Sequence, residues 1–518
     1  MKRKIALTAV VTLLASFIAG CASSTAAKTE NGSQEGVLES ASEEAVPAEI
    51  DMTGDPYQVA VQVVVIPGSE ISDEAAIEAA INEKTVPAIN CTVDLQYIWI
   101  NEIANTTSLG ITGNEKLDLV HVATVSPLES MIGSEMLYDM NQDNLLQTHG
   151  THLVDYFGDL MKAGNIDGAQ LAVPALSYVG HAMSFYYNKT VADEIGITIP
   201  EEGTLEDVEK ALYAVKDSGY DIIPYFAGSG ENTLFEYFYP TTVFGTNAVY
   251  GARFEGVDNS GIVNMYATDQ YREYVLRMNR WYRDGIMTKD TTDTNSVQDY
   301  FNAQQIFLDP APVNPSETAS LLSKAKSSGF EAAYCRTQDY VITNKLVQEY
   351  MWGIAVNSQN PEKAMDFLDY MYTDAEVANL IHYGLEGKNY TFVEGSDKVI
   401  EQNGTYAPAF FRGGNENDLY IVAPNDEDYI EQCQGIQKLC SIPDDLGYNF
   451  DDSMVQTEAA AISNVIAQYA PMLQAGLCGS EEDTLAYLAE FNSALEKAGI
   501  NDVIAENQRQ FDEFMQNR

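Results

Sequence analysis

Past residue 54 the apolar positions follow two rhythms. Tyr57–Ile66 (YQVAVQVVVI) is a β-branched run ended by Pro67-Gly68, and Ile71, Ala75, Ile77 and Ile81 then recur at helical spacing. Cys91–Ile100 (CTVDLQYIWI) and Lys116–Ala123 (KLDLVHVA) read as further strands. Near-continuous apolar strands alternating with helical stretches predict an α/β layer with a mostly parallel sheet. A second α/β region begins at Ala169–Leu176 and Ala182–Lys189. There Thr204-Leu-Glu-Asp207 has the form of a helix N-cap box, and Tyr271, Val275, Met278 and Tyr282 share one face of a helix stopped by Gly285. From Pro361 the pattern turns helical; Val455, Ala459, Ile462, Ile466 and Tyr469 line one face of a helix expected to close at Pro471. No fixed-period repeat is present, so a solenoid is not indicated.

The N-terminus obeys neither rhythm. Lys2, Arg3 and Lys4 precede an almost uncharged run, Ile5–Gly20, which ends in small residues. That layout is a secretory signal, and the run is shorter than the ~20 residues of a spanning helix. The end Ile18-Ala19-Gly20-Cys21 resembles the bacterial lipoprotein processing box, with Ile18 where Leu is usual. The resemblance implies a diacylglyceryl group on Cys21 and anchorage to the outer face of the cytoplasmic membrane, where paired acyl chains hold firmly. Residues 21–54 are rich in Ser, Thr, Ala and Glu and hold no aromatic side chain. They are expected to form a disordered acidic tether with a reach of about 30 Å.

Composition narrows the function. Asp and Glu number 77 against 28 Lys and Arg, a formal charge of −49 over 518 residues, which offers no electrostatic footprint for nucleic acid. With Cys21 assigned to lipid, Cys91, Cys335, Cys433, Cys440 and Cys478 remain. An odd number in a chain this long argues against a disulfide framework, while a Cys433–Cys440 pair stays open.

The segment Gly168–Tyr220 resembles the middle of the family 1 extracellular solute-binding proteins of ABC importers. Pro174, Tyr187-Asn188-Lys189, Gly196-Ile197 and Pro200 fall where that family places a cleft-lining loop, a strand ending in Tyr-Asn-Lys and a Gly-Ile-x-x-Pro turn. The family's usual Thr-Trp after that proline is replaced by Glu-Glu-Gly-Thr-Leu. Tyr350–Tyr390 resembles the late return strand and helix pair. The end of the chain looks like a C-terminal segment of unassigned role carried by a subset of these lipoproteins, several linked to oligosaccharide import. The resemblance implies an α/β, two-lobed periplasmic-binding-protein-like (type II) fold with hinge crossings near Gly168–Val173, Thr288–Ser296 and Tyr350–Gly353. The bilobed domain is expected over 55–380, with lobe 1 at about 55–168 and 297–350, lobe 2 at about 174–288 and 353–380, and a mainly helical segment over 381–518. The implied partners are a small-molecule solute, ABC permease subunits and the membrane, with the receptor itself a monomer.

A sugar presents apolar C–H faces and a rim of hydroxyls, so its site needs flat aromatic platforms edged by polar groups. The candidates beside predicted strand ends are Ser177, Tyr178, Tyr225, Phe226, Glu231, Asn232, Trp352, Tyr383 and Glu386. A peptide or amino-acid derivative is the alternative ligand, and a surface glycoside-acting enzyme the less favoured reading. Neither G-x-S-x-G nor H-E-x-x-H occurs, so no catalytic residue is assigned. The five histidines are scattered except for His149 and His152, which could share a helical face; no neighbouring Cys or third His completes a zinc set, so the pair reads as surface residues. Asp290–Asp299 (DTTDTNSVQD) carries calcium-type oxygen donors without the Gly and terminal Glu of an EF-hand loop, and no metal or cofactor is expected.

Overall fold

The computed structural model describes residues 47–66, 68–227, 234–254, 261–288, 297–408 and 412–517. The signal, Cys21 and most of the tether lie outside these residues. The end of the tether does not hang free: Ala48 N donates to Thr148 O at 2.9 Å, and Lys363 Nζ donates to Asp51 O at 2.8 Å.

In the first lobe, Tyr57–Val65 has seven consecutive buried residues, the signature of a strand covered on both faces. It pairs in parallel with Cys91–Trp99, Tyr57 opposite Cys91, and with Leu119–Ala123 through Val61 and Leu119. Tyr350–Ile354 then runs antiparallel to Leu119–Ala123 and to Val173–Pro174. The second lobe repeats this plan. Met287–Thr288, Ile223–Phe226 and Ile306–Val313 are mutually parallel, whereas Ala182–Asn188 runs antiparallel to Ile306–Val313 and Ala332–Arg336. Each sheet is therefore mixed, not mostly parallel. The reason is topological: Ala182–Asn188 and Tyr350–Ile354 enter their sheets directly from the other lobe, so they start at the lobe boundary where the parallel strands end.

Among the described residues of 55–380 two crossings join the lobes: residues 175–181, between Val173–Pro174 and Ala182–Asn188, and residues 337–349, between Ala332–Arg336 and Tyr350–Ile354. This corrects the expected lobe assignment. Phe301, Ile306 and Leu321 pack with Tyr186 and Phe226 of the second lobe, and Ile354, Phe367, Leu368 and Ile381 pack in the core of the first. Met287–Thr288 and Val297–Asn302 both belong to the second lobe, so no crossing separates them; most of the calcium-like stretch between them lies outside the described residues. Tyr350–Gly353 is a strand of the first lobe and not a hinge.

The region after residue 381 is divided between the lobes. A three-stranded sheet, Tyr390–Phe392, Val399–Gln402 and Ile421–Val422, accompanies the first lobe, where Tyr406 is buried in the core and donates to Ile381 O at 2.9 Å. The helices Gln456–Gln474, Glu481–Ala498 and Ile500–Gln516 instead complete the core of the second lobe through Ile462, Ile466, Phe491, Leu495 and Val503. A third crossing thus lies between Ile421–Val422 and Gln456–Gln474. Residues 445–449 tie it to the second: Asn344 Nδ2 donates to Tyr448 O at 2.9 Å, Gly447 N donates to Asn344 Oδ1 at 3.0 Å, and Gln348 Nε2 donates to Asn449 Oδ1 at 3.0 Å.

Candidate ligand cleft between the lobes

The first crossing is tied at its two ends to the second crossing and the strand that follows it, where Ala175 N donates to Tyr350 O at 2.9 Å and His181 bridges Val341, and between them residues far along the chain satisfy its backbone. Ser177 N and Oγ donate to Glu416 Oε2 at 2.6 and 2.8 Å, and Tyr178 N to the same oxygen at 3.0 Å. Glu416 N donates in turn to Tyr156 OH at 3.0 Å. Val179 N and Gly180 N both donate to Gln437 Oε1, at 3.3 and 3.2 Å. A Cβ at position 180 would meet Cys440 Sγ at 2.6 Å, so this approach requires glycine. Burial raises the Glu416 carboxyl, opposed by its bonds from Ser177 and Tyr178 and by Arg412.

These anchors form one wall of a cleft of about 530 Å³, within the size range of small-molecule sites. The second lobe supplies the opposite wall from the start of the helix Pro315–Ser327, where Asn314 caps by accepting from Glu317 N at 2.9 Å and Asn314, Ser316 and Glu317 face the cleft. The second crossing adds Leu346 and Glu349, and the first-lobe strand that follows adds Tyr350, with the Arg412 guanidinium 5.2 Å from the Tyr350 ring centre. Tyr178, Tyr383, Tyr420 and Tyr429 bring further aromatic surface, and Gln402 and Asn425 bring amides. Burial raises the carboxyls of Glu317 and Glu349; Glu349 pushes Glu317 further up, while Lys345, Tyr350 and Arg412 oppose the rise at Glu349. His181 and His382 also line the cleft. Burial brings both rings down to about 4, so they are uncharged at neutral pH, and His382 Nε2 lies 2.7 Å from Gly413 O.

Of the residues expected from sequence, Tyr178 and Tyr383 line this cleft, and Ser177 shapes it through Glu416. Tyr383 donates to Tyr420 O at 3.0 Å. Trp352 is fully buried, its ring 3.9 Å from that of His121 and its Nε1 donating to Arg412 O at 2.9 Å. Tyr225 and Phe226 lie in the second lobe's interior beside Trp281 and Tyr300. All three sit on strands whose both faces are covered, so strand ends alone gave the wrong exposure. Glu386 is exposed and outside the cleft lining, and Glu231 and Asn232 fall outside the described residues.

Of the histidine pair, His152 is exposed as expected, whereas His149 is largely covered. His149 Nδ1 lies 2.6 Å from Asp366 Oδ1 and His152 Nδ1 lies 2.5 Å from Asp369 Oδ2, so both rings dock the Thr151–Phe157 region onto the helix Pro361–Met371. Among the described residues no group of three or more His, Cys, Asp or Glu is arranged to hold a metal ion, and Cys91, Cys335, Cys433, Cys440 and Cys478 are free thiols. Sequence reasoning missed Asn314–Glu317, Glu349, Arg412, Glu416, Tyr420 and Tyr429. The signals available were the Asn-Pro cap at 314–315 and the Gly413-Gly414 turn that carries Arg412 and Glu416.

Residues 151–378 match the family described as bacterial extracellular solute-binding protein, and residues 445–516 match a domain of unknown function, DUF3502. A carbohydrate ABC transporter substrate-binding protein of Streptococcus pneumoniae is 26% identical over 371 residues, covering 69% of this chain and 72% of the relative. The crystal structure of the N-glycan transport solute binding protein of Streptococcus pneumoniae superposes with a TM-score of 0.74 at 21% identity, covering 89% of this chain and 99% of that one. An HMO-binding, ABC-transporter-associated solute binding protein of Bifidobacterium longum infantis gives 0.60 at 15% identity, covering 89% and 100%. The two-lobed architecture and the cleft at its crossings agree with the matched segments: residues 151–378 form a bacterial extracellular solute-binding protein domain and residues 445–516 a DUF3502 domain.

Proposed function

We propose that this protein is a receptor that captures an oligosaccharide between its lobes and delivers it to an ABC permease. The observation that carries the reading is the cleft itself: Tyr178, Tyr350, Tyr383, Tyr420 and Tyr429 offer platforms, while Asn314, Gln402, Asn425 and the carboxylates offer partners for hydroxyls. The carbohydrate relative and the glycan-binding names of the similar structures support the same ligand class. Closure of the lobes on the ligand is a hinge transition that the ligand stabilises. No described helix is long and apolar enough to cross a membrane. In our reading a lipid on Cys21 holds the receptor at the outer face of the cytoplasmic membrane, as a monomer, and the chain itself neither makes nor breaks a bond.

The test is calorimetric titration of the chain from Ala22 onward with panels of oligosaccharides and of short peptides. One glycan series should bind and be recovered intact, and Tyr178→Ala and Tyr383→Ala should each weaken it about tenfold, the worth of one aromatic contact. Binding of peptides alone would replace the ligand class, and recovery of shortened glycan would replace the receptor with an enzyme.

A further inference from the structure

Among the described residues, three carboxylates and one guanidinium face the cleft: Glu317, Glu349 and Glu416 against Arg412. The histidines there, His181 and His382, are uncharged at neutral pH, and Lys345, beside Glu349, is the other cation whose field reaches the lining. Arg412 lies against the Tyr350 ring, and its single charge is shared by Glu349 and Glu416, both of whose carboxyls it lowers. Glu416 is occupied on Oε2 by three donors of the first crossing. The carboxylates best placed to meet a ligand are Glu317, on the second lobe, and Glu349, on the second crossing, which Tyr350 also hydrogen-bonds.

The position of Glu317 is telling. The helix Pro315–Ser327 directs its N-terminus at the cleft, and an N-terminus with free backbone N–H groups attracts an anion. Here the side chain of Asn314 takes the Glu317 N–H, and the Glu317 carboxylate stands in that same first turn, so the positive end of the helix is answered from within the chain. A ligand carboxylate would meet Glu317 and Glu349 and not the helix. Hydroxyl groups suffer no such repulsion and can donate to both carboxylates.

We infer that the cleft selects uncharged glycans and rejects those bearing sialic or uronic acid, with Glu317 and Glu349 as the residues that set the discrimination. This rests on the oligosaccharide reading above. Like charges brought together in an interface disfavour the wrong partner strongly, so the discrimination should exceed tenfold in affinity at low salt and shrink as salt screens it.

The experiment uses matched probes: mannose- and galactose-terminated tetrasaccharides, and the same sugars with the terminal hydroxymethyl group oxidised to a carboxylate. Titration of the chain from Ala22 onward should give uronate affinity at least about tenfold below neutral affinity. In Glu317→Gln combined with Glu349→Gln that ratio should fall several-fold, and in the parent protein it should fall with added salt. Equal affinity for both forms, or preference for the uronates, would overturn the inference while leaving the receptor reading in place. A ratio unchanged in the double variant would also overturn it, since the discrimination would then come from shape. Failure of every glycan, neutral and oxidised, would remove the receptor reading and this inference together.

Discussion

The two lobes share one sheet plan and differ in what covers it. The first is closed by residues that follow directly on its own strand: Tyr350–Ile354 leads within a few residues to the helices Pro361–Met371 and Ala375–Tyr383. Its interior is largely aliphatic, and its polar docking runs through the pairs His149–Asp366 and His152–Asp369, with Lys363 Nζ donating to Asp366 Oδ2 at 3.2 Å. The second lobe waits for the far end of the chain. Its core is aromatic, with Phe235, Tyr266, Tyr271, Tyr274 and Trp281 buried together, and the helices beyond residue 455 complete it. The DUF3502 region is thus part of a lobe's interior, which makes it a structural requirement for the second lobe before it is anything else.

The largest effect expected from this difference follows from Phe491, which is fully buried with ring centres 4.8 Å from Tyr266 and 5.5 Å from Tyr469. Phe491→Ala should cost about 3–5 kcal/mol and lower the unfolding transition of the second lobe. The three tryptophans allow this to be read by lobe: Trp281 belongs to the second, Trp99 and Trp352 to the first. If Trp281 fluorescence melted unchanged in the variant, the C-terminal helices would be an independent module and the comparison would fail. A smaller effect is expected from Trp352→Phe, which removes the indole donor to Arg412 O and should cost about 1–3 kcal/mol. It should destabilise the first lobe while weakening glycan binding less than Tyr178→Ala does; the reverse order would put Trp352 back in the site.

What could be read from the sequence divides along the same line. Strands at 57–66, 91–100 and 182–189, the capping box of Thr204 and Asp207, and the five-residue face from Val455 to Tyr469 depend on neighbours within a few residues, and all are found. On Asp269–Arg283, Tyr271, Val275 and Met278 are buried as expected, but Tyr282 is 41% exposed and Trp281 takes its place. The helix does not close at Pro471 either. It runs to Gln474, because a proline in the last turn forfeits a single hydrogen bond while Leu473 gains full burial. The lobe assignment failed because the sheet a strand joins is decided by pairings across hundreds of residues. The cleft was half legible: residue type marked Tyr178 and Tyr383, but Glu416 reaches the site only through a fold that brings it to Ser177.

The finest contrast between the lobes is their response to pH, where each should lose stability as pH rises but in a different window. In the first, Asp366 accepts from the His149 ring and raises its pKa above the ordinary 6.5, against burial and Lys363 and with help from Glu362. A histidine with a raised folded pKa contributes in full below its unfolded value, and the contribution drains away as pH climbs through the folded one. In the second lobe Asp309 is 4% exposed, its Oδ2 has no hydrogen-bond partner, and burial raises its carboxyl from 3.8 to about 7. Between those values the unfolded chain ionises and the folded one does not, so the unfolded state holds fewer protons and stability falls across that interval. Melts followed through Trp281 should therefore decline from about pH 4 to pH 7, and the His149 contribution to those followed through Trp99 and Trp352 should be lost above about pH 6.5. Asp309→Asn should flatten the first profile and raise the second lobe's stability at neutral pH, and His149→Asn should flatten the second. Identical windows in both lobes would mean that the whole chain unfolds as one unit, and the separate covers of the lobes would then be distinct in construction without being distinct in energy.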